Sequence, residues 1–116
     1  MRLEPGDIVL VPFPFTDLTS SKSRPAFVIS DGRYYASSRD VIVLGVTSNL
    51  SNAAHSVMMK DSDLLRGKLK ATSRIKADKV ATLEQSIVRR VVGRAKPVLL
   101  GHVMREFLSL FPDAGS

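Results

Sequence analysis

The chain has 116 residues, 44% of them apolar and 24% charged, with a net charge of +6 and no cysteine. Length and composition fit one globular domain with an ordinary hydrophobic core and argue against disorder. The lack of cysteine excludes disulfides, thiolate zinc sites and thiol catalysis, and no apolar run approaches the ~20 residues of a membrane-spanning helix. The start, Met1 to Asp7, has no apolar stretch of the kind that marks a secretory leader. The expectation is a single cytoplasmic domain over residues 1–116, with no membrane association, and with no metal or cofactor, since two histidines make a multi-His site improbable.

In chain order, Asp7 to Phe13 is β-rich and apolar, and Pro12 and Pro14 end the strand or place it at an edge. Asp17 to Ser23 reads as an exposed polar loop. Pro25 to Ser30 is a second strand. Asp31-Gly32 signals a turn, with loop continuing through Tyr34 to Ser38. Val41 to Thr47 is a continuous apolar strand, which predicts burial on both faces. A polar turn over Ser48 to Ala54 leads to a strand over His55 to Lys60. Leu69 to Ile75, Lys79 to Leu83 and Arg90 to Arg94 read as three further strands. Short strands without βαβ alternation predict a mainly β fold, a small antiparallel barrel. The period then changes. Leu100, Val103, Met104, Phe107, Leu108 and Phe111 form one stripe of an amphipathic helix, with Pro97 in its first turn and Pro112 as its stop.

The charge is uneven. Residues 1–59 carry five Lys/Arg and five Asp/Glu, whereas residues 60–116 carry twelve and six. A basic cluster runs from Arg66 to Lys96 and points to a polyanionic partner, because Lys and Arg near phosphates release condensed counterions. No Walker or dinucleotide phosphate loop and no Gly-x-Ser-x-Gly elbow is present. His55 and His102 read as ordinary surface or boundary residues. Two segments stand out. Arg24 opens a strand in Arg24-Pro25-Ala26-Phe27-Val28-Ile29, and Thr47-Ser48-Asn49 closes the buried one. Strand ends beside loops are where scaffolds present functional groups, and pairing of these two strands would bring Arg24 near Thr47.

Arg24-Pro25-Ala26-Phe27-Val28-Ile29 and Val46-Thr47-Ser48, with Gly6-Asp7-Ile8-Val9-Leu10-Val11, Leu69-Lys70-Ala71-Thr72-Ser73, Asp78-Lys79-Val80-Ala81-Thr82-Leu83 and Gly93-Arg94, occur in the order found in a known family. The chain resembles the MazF/PemK toxin endoribonucleases of type II toxin–antitoxin systems. The resemblance implies an SH3-like, plasmid-maintenance-toxin barrel with a C-terminal helix. It also implies a homodimer, a metal-free cut in single-stranded RNA, and a cognate antitoxin whose disordered tail blocks the RNA groove. It carries catalytic roles to Arg24 and Thr47. The loop Asp17-Leu18-Thr19-Ser20-Ser21-Lys22-Ser23 departs from the Glu/Gln- and Gly-containing loop of well-studied members.

A metal-free cut uses the substrate's 2′-hydroxyl as nucleophile and leaves a 2′,3′-cyclic phosphate. Arg24 suits stabilisation of the phosphorane, since its planar fork donates two hydrogen bonds to phosphate oxygens. Thr47 suits donation to a non-bridging oxygen. No residue is singled out as the base. The expected RNA-binding set is Asp17, Ser23, Tyr34, Ser48, Lys70, Ser73, Arg74, Lys76 and Lys79, with Phe13, Phe15 and Tyr35 as further stacking candidates. The rivals are a catalytically weak member that only binds RNA or antitoxin, and a gyrase-poisoning toxin of the same barrel. The second would resemble a family with a Trp-Gly-Ile-like ending, which this chain lacks.

Overall fold

The computed structural model describes residues 2–12 and 23–113. Strands β1 (Asp7–Val11), β2 (Arg24–Val28), β3 (Asp40–Thr47), β4 (Ser56–Met59), β5 (Leu64–Gly67), β6 (Ser73–Glu84) and β7 (Arg90–Ala95) form one sheet in the order β4-β6-β3-β2-β1-β7-β5. Every pairing is antiparallel, and the sheet curls into a half-barrel with β4 and β5 at its edges. Helices α1 (Gly32–Ser38) and α2 (Pro97–Leu108) complete the fold. Among the described residues no helix is long and apolar enough to cross a membrane.

Alternation along the central strands feeds two cores. Val9, Val11, Ala26, Val28, Val41 and Val43 pack on one face, while Ile8, Phe27 and Leu44 pack on the other with Leu99 and Val103 of α2. Burial on both faces of β3 therefore matches its continuous apolar run. Each fully buried large side chain contributes about 1.5–3 kcal/mol, so these residues dominate the stability of the sheet.

Several boundaries differ from the sequence reading. The segment after Asp31 is helix rather than loop. Asp31 caps α1, its Oδ1 accepting from the amides of Arg33 and Tyr34 at 2.8 and 3.2 Å. An Asp-Gly pair serves turns and helix caps alike, and a seven-residue helix is too short to show a period. The strands expected over 69–75 and 79–83 are one strand, β6, with residues 69–72 left as loop. Its partner β3 pairs Gly45 with Lys76 and Leu44 with Val80, so Ala77 to Lys79 form an insertion that bends β6 and hides its continuity in the sequence. Strand β5, Leu64–Gly67, carries no sequence signal, because it is mostly exposed and lacks alternation. Helix α2 has Pro97 at its start as expected. It ends at Leu108, four residues before Pro112. Its buried face centres on Leu99 and Val103, and Leu108 and Phe111 at the far end of the stripe are exposed.

Asp7 ties the first turn to the last strand. Its Oδ1 accepts from Arg94 Nε at 2.8 Å and its Oδ2 accepts from the Glu4 amide at 2.9 Å. The carboxylate is buried, and its hydrogen bond and charge raise the Arg94 pKa above the ordinary guanidinium value. Asp7→Ala should lower stability by about 2–3 kcal/mol in denaturant unfolding, because it strands a partly buried guanidinium and an amide. Gly67 has φ +90°, and a Cβ there would lie 2.2 Å from the Val92 carbonyl oxygen. Gly67→Ala should therefore cost about 1–3 kcal/mol, read as a lower thermal midpoint.

Candidate functional site

The β2–β3 register sets the site. Phe27 lies opposite Leu44 and Ala26 opposite Gly45, so the next positions outward bring Arg24, at the start of β2, level with Thr47, at the end of β3. Both residues line a groove of about 780 Å³ at this end of the sheet. Its floor is apolar, with Ile8, Leu10, Val46 and Val91. Hydroxyls come from Ser23, Thr47, Ser48 and Ser73, and cations from Arg24, Lys68, Lys70 and Arg90. Among the described residues none of the lining is acidic.

The pairing of the cations is informative. Arg2, Arg33, Lys76 and Arg94 each face a carboxylate. Arg74 and Arg89 donate to Leu50 and Ser23. By contrast, Arg24, Lys68, Lys70 and Arg90 hold no ion pair or side-chain hydrogen bond among the described residues. Unpaired like charges along one groove repel each other, and a bound polyanion relieves that repulsion.

Local bonds orient the polar groups. The Asn49 amide donates to Thr47 Oγ1 at 3.1 Å, which engages a lone pair and leaves the hydroxyl proton to donate. Arg89 Nη1 donates to Ser23 Oγ at 2.6 Å, and the Arg89 amide donates to the Leu10 carbonyl, so the residue before Arg24 is anchored to the sheet. The loop carrying Lys68 and Lys70 is held by Asp61, whose Oδ1 accepts from the Leu69 amide at 2.7 Å. Buried Ser73 donates to the Ala71 carbonyl at 2.9 Å.

Of the residues expected from sequence, Arg24, Thr47, Ser23, Ser48, Lys70 and Ser73 meet at this groove. Others lie elsewhere. Tyr34 and Tyr35 are on α1, which joins the opposite ends of β2 and β3. Arg74 and Lys76 reach carbonyls of the segment between β3 and β4, and Lys76 is only 4% exposed. Lys79 is exposed in the β6 insertion, away from the groove lining. Asp17, Phe13 and Phe15 fall outside the described residues. Lys68 and Arg90, both within the basic cluster, also line the groove, although neither stands in a motif. Their signal lies in pairing: β7 sets Arg90 opposite Leu10, and the loop after β5 turns Lys68 inward with Lys70. A second, shallower depression of about 430 Å³ lies between β4 and α2, and its mixed Arg105 and Glu106 favour no single sign of ligand.

Known structures share this fold. A MazE–MazF complex from Deinococcus radiodurans is 22% identical, with 95% of this chain and 96% of that chain covered and a TM-score of 0.75. MazF alone from the same organism is 21% identical, with 95% and 96% covered and a TM-score of 0.71. An endoribonuclease in complex with its cognate antitoxin, from a mycobacterial species, is 17% identical, with 93% and 91% covered and a TM-score of 0.71. At these identities the likeness is one of fold. No curated protein matches significantly in sequence. Residues 4–111 match the model of the PemK-like, MazF-like toxins of type II toxin–antitoxin systems, and the chain belongs to that family.

Proposed function

We propose that this protein is a toxin endoribonuclease that cuts single-stranded RNA at specific sequences without a metal ion, acting in the cytoplasm as a homodimer and restrained by a cognate antitoxin. Family membership supports the toxin reading, and structural neighbours that are named endoribonucleases support the substrate class. The observation that carries the chemistry is a groove in which, among the described residues, no acid lines the wall and cations without ion pairs flank Thr47.

Its groups suit phosphodiester transesterification. The substrate's 2′-oxygen bonds to phosphorus and loses its proton. The P–O5′ bond breaks, the 5′-oxygen takes up a proton, and a 2′,3′-cyclic phosphate remains. Arg24 supplies a fixed charge and a two-pronged donor for the phosphorane oxygens. Thr47, its oxygen engaged by the Asn49 amide, aims its proton at a non-bridging oxygen. Lys68, Lys70 and Arg90 track neighbouring phosphates. The apolar floor at Leu10, Val46 and Val91 offers base faces a dry surface.

Purified protein incubated with long RNA and EDTA should yield fragments with 2′,3′-cyclic phosphate ends and a shared sequence at their mapped 5′ ends. Persistence of intact RNA, or activity only on adding a divalent ion, would reject this reading. An oligonucleotide with one 2′-deoxy nucleotide at the cut site should resist, because the nucleophile is missing. Arg24→Ala and Thr47→Val should each lower kcat about 10²–10³-fold, the usual cost of one transition-state donor. Lys70→Ala should instead weaken binding and reduce the slope of log Kd against log salt by about 0.7, the share of one phosphate contact on a single strand.

A further inference from the structure

Arg74 and Lys76 are cations of the basic cluster that the groove does not use. They occupy one face of β6, in register with Thr47 and Gly45 of β3 on one side and with Met58 and Ser56 of β4 on the other. Between those neighbours, residues 48–55 form an irregular segment that starts at Ser48, directly after Thr47. Arg74 Nε donates to the Leu50 carbonyl at 2.6 Å, and its Nη1 donates to Ser56 Oγ at 3.3 Å. Ser56 Oγ in turn donates to the Ala53 carbonyl at 2.6 Å. Lys76 Nζ donates to the Ala54 carbonyl and lies 3.8 Å from Asp78. One guanidinium thus joins the two ends of the segment, and one ammonium holds its last turn.

These bonds decide what the two cations can do. Lys76 is 4% exposed, and moving its ammonium to a phosphate would break its bond to Ala54 and drag a buried stem into water. The Arg74 guanidinium is engaged by two oxygens at once, through Nε and Nη1, and turning it to a phosphate would break both bonds. What they hold is the segment that orients Thr47, because the Asn49 amide on Thr47 Oγ1 sits one residue before the Leu50 carbonyl on Arg74.

We propose that Arg74 and Lys76 are positioning residues that fix the 48–55 segment and so aim the Thr47 and Ser48 hydroxyls into the groove, rather than contacts to the nucleic acid. This assignment rests on the endoribonuclease reading above for its catalytic readout. Its structural readout does not depend on that reading.

The test compares Arg74→Lys, Arg74→Met and Lys76→Met with the wild-type chain, each first shown to unfold cooperatively. In the free protein, hydrogen exchange of the amides over 49–56 should speed up about 10-fold, as expected for one lost hydrogen bond, with the β1 and β2 amides unchanged. On an RNA substrate, kcat should fall about 10-fold at nearly constant KM, since a misaimed donor is felt in the transition state. The slope of log Kd against log salt should stay at the wild-type value. Arg74→Lys should rescue neither readout, because an ammonium cannot span both oxygens. Recovery of kcat by Arg74→Lys, a salt slope reduced by about 0.7 in Arg74→Met, or unchanged exchange over 49–56 would overturn the proposal. If Arg74 variants fail to fold, Lys76→Met decides by the same readouts, its side chain keeping most of the buried stem. A wild-type protein that cuts no RNA would refute the proposed function, while the exchange data would still judge the clamp.

Discussion

Phe27 packs opposite Leu44 in the middle of the sheet, both fully buried, and that rung decides where the ends of β2 and β3 fall. Arg24 lies three residues before Phe27 and Thr47 three residues after Leu44, so antiparallel pairing returns them to the same edge. Neither side chain has to find the other. The apolar cores on both faces hold the strands in place, and the polar ends inherit their positions. A rigid sheet presenting groups at strand ends holds them without ordering a flexible loop at each encounter with a ligand.

The same sheet separates cations by task. Arg94 serves the fold through the buried Asp7 carboxylate, and Arg89 anchors Ser23. Arg74 and Lys76 turn to backbone carbonyls. Arg24, Lys68, Lys70 and Arg90 have no side-chain partner among the described residues and line one groove. Charge content alone would treat all of them as one basic patch. A cation tied to a carboxylate or a carbonyl must give up that bond to turn to an incoming phosphate, whereas one without such a bond gains a charge-assisted hydrogen bond outright.

The apolar runs Ile8 to Val11 and Val41 to Val46 made the central strands legible, because burial on both faces leaves little room for polar residues. The C-terminal stripe showed the helix, since its period persists over three turns. The reading failed where a signal was short or shared. The Asp31 cap looked like a turn, and the insertion at Ala77 to Lys79 cut β6 into two apparent pieces. Around the groove, Arg24 and Thr47 could be chosen because their motifs stand at strand ends. Lys68 and Arg90 stand outside the family motifs and reach the groove from the loop after β5 and from β7, on the far side of β1.

Taken alone, the sequence determined the mainly β character, the amphipathic helix, the basic second half and the family to which the chain is assigned. These rest on local periodicity, composition and ordered motifs, which the chain carries without folding. The tertiary structure decided which of the basic residues face a common groove and which are tied to carboxylates or carbonyls. That sorting depends on strand order and register, which bring together residues as distant in the chain as Arg24, Thr47, Lys70 and Arg90, and no local pattern encodes such distances.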